Sequence, residues 1–167
     1  MRRFLLSVLL VILSMSLLSG CGAQPRTMSL SAFQCETSFR LQNETYAGVL
    51  QYNDPQHITL RFTTPEVLRG LVLQKQDTQC SLLFGNLPVA LDLLQALPLP
   101  SFAPVQLLEL LSLLGADAMS VDEHGAVTGV SGDWTYLLQL DPQTLLPLTL
   151  KTDDVSFAFT HVFADDA

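Results

Sequence analysis

The amino-acid sequence predicts an α+β domain: a large curled antiparallel sheet of about ten strands, with a short leucine-rich helical insertion covering its concave face. Two observations carry this prediction. Apolar and polar residues alternate over most of the chain after residue 30, which is typical of strands with one buried and one solvated face. The alternation stops in the middle, where twelve leucines occur between Leu87 and Leu114. The predicted order is roughly five strands, a helical insertion and five strands, joined by hairpin-length turns.

The N-terminus has the layout of an export signal. Arg2 and Arg3 precede an uncharged apolar run that is too short for a typical membrane-spanning helix. The run ends in Leu18-Ser19-Gly20-Cys21, which resembles the lipobox of bacterial lipoproteins. This resemblance implies cleavage before Cys21 and a diacylglycerol, with palmitate-type acyl chains, in thioether linkage to its sulfur. The alternative is an ordinary cleaved signal in which Cys21 has no special role.

The chain is therefore predicted to divide into three parts. Residues 1–20 are a signal peptide, residues 21–29 are the lipidated N-terminus and its tether, and residues 30–167 form a single domain. The predicted location is the bacterial cell envelope, with the domain lipid-anchored on the extracytoplasmic face of a membrane. Stable anchoring needs more than one acyl chain, and a diacylglycerol provides two.

Five strands are predicted before the insertion. Asn53-Asp54-Pro55 forms the turn between the second and third strands, and the fourth and fifth are residues 70–75 and 78–84. In each of the first three strands the apolar residues share one parity, so they face the same side of the sheet. These apolar residues are Phe33, Cys35, Phe39 and Leu41, then Tyr46, Gly48, Leu50 and Tyr52, then Ile58, Leu60 and Phe62.

The leucine-rich insertion is predicted to contain two helices, because three prolines between residues 98 and 104 divide it. The first helix covers about residues 88–97. The second begins at Pro104, a residue suited to a first helical turn, and ends at Leu114 with Gly115 as its stop. Polar residues form only a narrow stripe on the second helix, so we expect it to be covered nearly all round.

Five more strands are predicted after the insertion. Residues 118–121 and 126–130 flank a turn at residues 122–125, and Trp134, Tyr136, Leu138 and Leu140 alternate in the next strand. The turn Asp141-Pro142-Gln143-Thr144 leads into the last two strands, residues 146–150 and 155–163. The inner face of the whole sheet is therefore rich in aromatic residues and leucine, and the helices must cover it.

The chain resembles the lipoprotein-carrier superfamily, which includes the periplasmic lipoprotein chaperone, its outer-membrane lipoprotein receptor and the glycolipid-binding lipoproteins of mycobacteria. The segments that carry the resemblance are Pro65 to Leu71 before a strand, Asp141 to Pro147 in a late hairpin, and the closing Val155 to Phe159. The resemblance implies an unclosed half-barrel with a helical lid over an apolar cavity. The candidate cavity-lining residues are Phe39, Leu60, Phe62, Leu108, Leu111, Trp134, Tyr136, Phe157 and Phe159.

Two functions are predicted from these features. In the first, the concave face binds an apolar ligand, which is a lipid or the acyl chain of another lipoprotein. In the second, the same fold is an envelope interaction protein that docks and regulates a cell-wall or sporulation enzyme, and it binds no lipid. Small lipoproteins of Gram-positive spore formers, one of which activates a cell-wall amidase, are similar too. The alternative to the first function is that the leucines of the second helix, residues 107–114, simply fill the cavity and leave a packed core without a ligand.

Composition and residue spacing argue against other classes. The net charge is −8, so the chain lacks the basic surface that nucleic acids or anionic headgroups require. The three histidines have no metal-ligand spacing to one another or to cysteine, and no nucleophile and base are placed as in an enzyme. We therefore expect no catalysis, metal or cofactor. His161 shares the parity of Phe157, Phe159 and Phe163, which predicts an inward-facing histidine.

Two cysteines remain in the mature chain, Cys35 and Cys80. Both lie on the apolar parity of their strands, so both are predicted to point inward. A disulfide is allowed outside the membrane, but a simple meander would place the first and fifth strands farther apart than the roughly 7 Å between Cα atoms that a bridge requires. Two buried thiols are the favoured interpretation, and a Cys35–Cys80 disulfide in a strongly curled sheet is the alternative.

Overall fold

A computed structural model describes residues 26–41, 43–85, 87–89 and 103–164, and twelve strands and one α-helix lie in these ranges. The signal peptide and Cys21 lie outside them. The strands are β1 (Arg26–Met28), β2 (Phe33–Leu41), β3 (Glu44–Asp54), β4 (His57–Thr64), β5 (Leu71–Gln76), β6 (Gln79–Phe84), β7 (Leu87–Val89), β8 (Met119–Val121), β9 (Ala126–Ser131), β10 (Trp134–Leu140), β11 (Pro147–Thr152) and β12 (Ser156–Ala164). Helix α1 is Ala103–Ala116, and a short 3-10 helix covers Glu66–Leu68.

Ten strands form one antiparallel sheet in the order β7-β6-β5-β4-β3-β2-β12-β11-β10-β9. The pairing of β2 with β12 joins the two halves of the chain, and no described strand pairs with the outer side of β7 or of β9. The sheet is therefore unclosed, and a helical insertion crosses its inner face. These features confirm the predicted fold class.

The inner face is defined by the alternation that the sequence predicts. Along β2, every second residue from Phe33 to Leu41 is buried, and the residues between them face solvent or are half-buried. The pairing register aligns these residues across neighbouring strands, so that rows of buried side chains cross the sheet. One such row is Cys35, Leu50, Leu60, Leu73 and Leu82.

Helix α1 lies against this inner face, where it contacts β4 and β5. Five of its leucines are at most 2% exposed: Leu107, Leu108, Leu110, Leu111 and Leu114. The Ser112 hydroxyl donates a hydrogen bond of 2.5 Å to the Pro55 carbonyl, which fixes the C-terminal part of α1 on the β3–β4 turn. The predicted second helix is present and is covered nearly all round.

Two boundary predictions in the insertion are wrong. Gly115 does not stop α1, which continues to Ala116; a side chain at Gly115 would collide with the hydroxyl of Tyr52. This glycine therefore allows close packing between helix and sheet. The predicted first helix does not begin at Pro88, because Leu87–Val89 is a strand that pairs with β6 through a turn in which Gly85 has φ 63°. The rest of that predicted helix lies outside the described residues.

The last strand contains a β-bulge that was not predicted from the sequence. The register of β12 against β2 shifts between Thr160 and Phe163, and His161 has φ 50°. A bulge reverses which residues face the core. Val162 therefore packs on the core, Phe163 is 66% exposed, and His161 lies outside on the Glu36 carboxylate at 3.2 Å. The predicted inward-facing His161 is wrong for this reason.

A two-stranded ribbon of β1 and β8 accompanies the large sheet. Part of the predicted tether, Arg26–Met28, forms strand β1. Met119 and Val121 of β8 are buried in the core. The ribbon follows α1 directly and leads into β9, with the Asp122 amide bonded to the Ala126 carbonyl at 3.0 Å.

The sheet therefore has two different ends. We call the end with the β3–β4 turn, the C-terminus of α1 and the connection from the ribbon into β9 the ribbon end. We call the opposite end, with the β2–β3, β6–β7, β9–β10 and β11–β12 turns and the 3-10 helix, the rim end. The antiparallel register fixes which residues lie at each end.

Candidate functional site

The candidate site is the inner face of the sheet, where the nine predicted lining residues lie on the sheet or on α1. Seven of them are almost completely buried, with at most 4% of each exposed. These seven are Phe39, Leu60, Phe62, Leu108, Leu111, Phe157 and Phe159. Trp134 and Tyr136 are half-buried instead, and both lie on β10 at the rim end.

An aromatic cluster occupies the centre of the inner face toward the rim end. The rings of Phe39 and Tyr46 stack with centroids 5.2 Å apart, and Phe157 meets Phe39 at 5.1 Å and an interplanar angle of 55°. The Tyr46 hydroxyl donates a 3.2 Å hydrogen bond to the Glu44 carboxylate at the rim. Burial, followed by that hydrogen bond, raises the pKa of Tyr46. The cluster thus has an apolar body and a polar end, as buried tyrosines usually do.

Tyr136 lies close to the β9 edge of the sheet. Its ring and hydroxyl pass over Gly129 of β9 so closely that a side chain at Gly129 would collide with them. Trp134, two residues earlier on the same face, pairs with Ser131 at the end of β9. Two large aromatic side chains therefore stand half-exposed on the inner face beside this edge.

The other edge of the sheet also exposes apolar inner-face residues at the rim end. Phe84 shares a face with the buried Leu82 and pairs with Leu87 across the β6–β7 hairpin. Phe84 is 59% exposed and Leu87 is 73% exposed. Val67 of the 3-10 helix is exposed at the same end. We call the five residues Val67, Phe84, Leu87, Trp134 and Tyr136 the apolar rim; of these, only Trp134 and Tyr136 were predicted from the sequence.

Residues 84 and 87 were missed because exposure depends on position in the sheet. Phe84 has the same parity and the same apolar character as Leu82, so periodicity places both on the inner face. Only the observed strand order shows that β6 and β7 lie at an edge, where the inner face is less covered.

Two buried hydroxyls on the inner face lack a hydrogen-bond partner among the described residues, those of Thr37 and Tyr52. Each of these residues is 1% exposed. Burial and the nearby Asp54 carboxylate raise the pKa of Tyr52 to about 12. Both groups stay neutral at physiological pH, so they offer hydrogen bonds rather than charge.

Cys35 and Cys80, the two cysteines that the structure describes, are free thiols. Cys35 on β2 is buried and Cys80 on β6 is half-buried, with β3, β4 and β5 between the two strands. Burial, reinforced by the neighbouring Glu36 carboxylate, raises the pKa of Cys35 to about 12, and burial also raises the pKa of Cys80. Since the thiolate is the reactive form, neither side chain is activated as a nucleophile.

Four aspartate carboxylates of the described residues stabilise turns by accepting hydrogen bonds. Asp54, Asp122 and Asp141 each accept backbone N–H bonds within their own turn, and Asp153 accepts bonds from the backbone and hydroxyl of Thr135. Hydrogen bonds lower the pKa of all four carboxyl groups; for Asp54 the bond from the His57 side chain is the largest cause, and for the other three the bonds named above are. Within the described ranges, no three potential metal ligands come together and no helix is long and apolar enough to cross a membrane.

A solved structure of a LolA superfamily protein from Nitrosomonas europaea is similar to this chain. The similarity covers 82% of this chain and 87% of that chain, with a TM-score of 0.45 and 10% sequence identity. No protein-family model matches the chain, and no curated protein matches it.

Proposed function

We propose that the protein is a membrane-anchored bacterial lipoprotein that binds an apolar ligand, either a lipid or the acyl chain of another lipoprotein, at the rim end of its concave face. The observation that supports this most directly is the apolar rim. Its residues come from opposite edges of the sheet, and four of the five belong to the same inner face. Single exposed apolar residues are common on proteins, whereas a set gathered at one end of one face marks a binding surface.

The two ends of the inner face have different roles in this proposal. At the ribbon end the leucines of α1 fill the concave face and form a fixed floor. At the rim end an acyl chain would lie against Trp134 and Tyr136 on one side and Phe84 and Leu87 on the other. Each CH₂ group removed from water there contributes about 0.8 kcal/mol, so a chain of ordinary length provides enough free energy for binding.

Charge at the rim end narrows the ligand class. Acidic side chains occupy several turns there, while Arg69 pairs with the exposed Glu66 at 2.7 Å. The other acids at this end are Glu44, Asp133, Asp153 and Asp154, and they outnumber the other two cations there, Arg40 and Lys151. A ligand with an anionic headgroup would be repelled by these carboxylates. We therefore propose a neutral or cationic headgroup, or an acyl chain presented by a protein.

Strand β1, the first described element after the proposed anchor, pairs with β8 in the ribbon and so lies at the ribbon end, opposite this opening. The predicted lipidation site, Cys21, precedes strand β1 by five residues, which span at most about 18 Å. Strand β3, with 11 residues, is about 36 Å long. With the domain upright on its anchor, the rim end therefore faces away from the membrane.

Fluorescence quenching tests the proposal directly, because Trp134 is the only tryptophan of the chain. We expect a brominated fatty alcohol, added to the form that begins at Gly22, to quench Trp134 emission saturably. Phe84→Ser should weaken this quenching several-fold. Phe163→Ser is the matched control, since Phe163 is similarly exposed but lies on the outer face, and it should change nothing. Absence of saturable quenching, together with absence of lipid in organic extracts of the purified protein, would rule the proposal out.

A further inference from the structure

The free edge of β9 is a second exposed feature, distinct from the apolar rim. Strand β9 (Ala126–Ser131) is the last strand of the large sheet, and no described strand pairs with its outer side. It contains neither charge nor proline, and its Val130 is 69% exposed. Natural edge strands normally carry a charged residue or a proline, or are very short, because an unprotected edge pairs with other chains.

The opposite edge of the same sheet is protected in this way. Strand β7 has only three residues, and one of them is Pro88, which has no N–H to donate. The two edges thus differ in their capacity to pair, since β9 is twice as long and keeps all its N–H groups. Of the two edges of the sheet, only the β9 edge therefore lacks these protective features among the described residues.

The backbone groups that face this edge can be identified. Ser131 and Trp134 flank the two-residue turn Gly132-Asp133, and residues in that position exchange hydrogen bonds with each other. By alternation, Thr128 and Val130 direct their N–H and C=O groups away from β10. Ala126 follows the same pattern, and its outward N–H and C=O are bonded to Asp122 at 2.7 and 3.0 Å. Four backbone groups, on Thr128 and Val130, are thus presented at the edge.

The charges around this edge are mostly acidic. Asp122 and Glu123 lie at its ribbon end, and Asp133 and Asp153 lie at its rim end. Among the lysine and arginine side chains that the structure describes, the one nearest to this edge on the outer face is Lys151, which is separated from Thr128 by strand β10. A strand that pairs here is therefore favoured when it is uncharged in the middle and basic at both ends.

We propose that β9 is a docking site for an extended segment of a partner protein, which pairs with β9 as an eleventh strand of the sheet. This segment has β-branched residues in its centre and Lys or Arg at its ends. Backbone hydrogen bonds to Thr128 and Val130 provide affinity, and the flanking acids provide specificity. A second copy of this chain fits less well, because antiparallel pairing of two β9 strands brings Asp122 and Glu123 of one copy to Asp133 of the other.

The test uses the full chain in detergent micelles and the synthetic peptide acetyl-Lys-Val-Thr-Val-Thr-Val-Lys-amide. We expect the peptide to bind and to slow hydrogen exchange at the amides of Thr128 and Val130. Higher salt should weaken binding, and the same peptide with Glu at both ends should bind at least tenfold more weakly. No protection at these two amides, or equal binding of the acidic peptide, would overturn the proposal.

Thr128→Pro provides a matched pair with Thr128→Val. Proline removes only an N–H that faces the free edge, so the bonds between β9 and β10 remain, whereas valine keeps the N–H. We expect about tenfold weaker peptide binding for the proline variant and unchanged binding for the valine variant. Circular dichroism checks that both fold. Sedimentation equilibrium tests the remaining alternative. If the wild-type chain self-associates and Thr128→Pro abolishes this association, a second copy occupies the edge and the proposed partner is wrong.

Discussion

The two ends of the concave face are built from the same residue types but differ in how completely they are covered. At the ribbon end, the leucines of α1 and the inner-face residues of β2 to β5 bury one another almost fully. At the rim end, the central aromatic residues Phe39, Tyr46 and Phe157 are buried as well. The inner-face residues on strands near the two edges of the sheet remain partly or largely exposed there: Phe84, Leu87, Trp134 and Tyr136. An apolar inner face therefore does not by itself imply a ligand cavity. Only the part that the chain's own helix leaves uncovered is available to a ligand.

The largest effect is expected when a buried side chain of α1 is shortened. Leu111→Ala should lower the free energy of unfolding by about 2–5 kcal/mol, because Leu111 is 0% exposed and its loss leaves a cavity. Leu113→Ala on the same helix is the control; Leu113 is 42% exposed, so the cost should be below about 1 kcal/mol. Chemical denaturation of both variants measures the difference. A similar small cost for both would mean that α1 packs loosely.

Hydrogen exchange separates a fixed floor from a moving lid. If α1 is a floor, the amides of residues 107–114 should be as protected as those of Leu60 and Phe159 in the sheet. A helix that opens to admit ligand would show a lower opening free energy than the sheet. Fast exchange confined to α1 would therefore contradict the division of roles between the two ends.

The contact between Gly115 and Tyr52 provides the next test at the ribbon end. Gly115→Ala should cost about 1–3 kcal/mol, because the added methyl group overlaps the Tyr52 hydroxyl in a tightly packed region. Tyr52→Phe removes that hydroxyl and should recover part of the loss in the double variant. A double-mutant cycle measures the coupling between the two positions. Additive effects would show that the helix shifts instead of clashing.

These particular residues show what sequence periodicity can and cannot predict. The alternation along β2, β3 and β4 predicted the inner face, because a period of two maps directly onto the two faces of a strand. It failed at His161, where one extra residue in a bulge reverses the faces. Gly115 was interpreted as a helix stop because glycine often follows a C-terminus, whereas its actual role depends on a tyrosine 63 residues away in sequence.

The candidate site was predicted less completely than the fold for a related reason. Parity identifies which residues face inward, and all nine predicted lining residues lie on the inner face or on α1. Their coverage depends on strand order and on where α1 docks, which are long-range properties. Trp134 and Phe157 are indistinguishable by parity and chemistry, yet one is half-buried and the other is 0% exposed.

Thr37 provides a test in which a substitution should stabilise the protein. Its buried hydroxyl has no partner among the described residues, so Thr37→Val removes an uncompensated polar group at nearly constant shape. We expect the free energy of unfolding to rise by about 1 kcal/mol. Thr160→Val, at an exposed position of β12, should change it much less. Destabilisation by Thr37→Val would show that the hydroxyl is hydrogen-bonded in solution.

The smallest expected effect concerns acid stability at the two ends. Hydrogen bonding by the His57 side chain, and then by backbone amides of the β3–β4 turn, lowers the pKa of Asp54 at the ribbon end. Hydrogen bonds from Thr135 lower the pKa of Asp153 at the rim end. A carboxyl group whose pKa is lower in the folded state stabilises the fold above its unfolded pKa, near 4, and that contribution is lost as the pH falls through the folded pKa. Both Asp54→Asn and Asp153→Asn should therefore flatten the fall in stability below about pH 4.

Amide exchange at the C-terminus of α1 separates the two ends. The turn that contains Asp54 also carries the Ser112–Pro55 hydrogen bond to α1, so acid should speed exchange there in the wild type. Asp54→Asn should reduce this response, and Asp153→Asn should leave it unchanged. An equal response of α1 to both substitutions would show that the two ends unfold together and not independently.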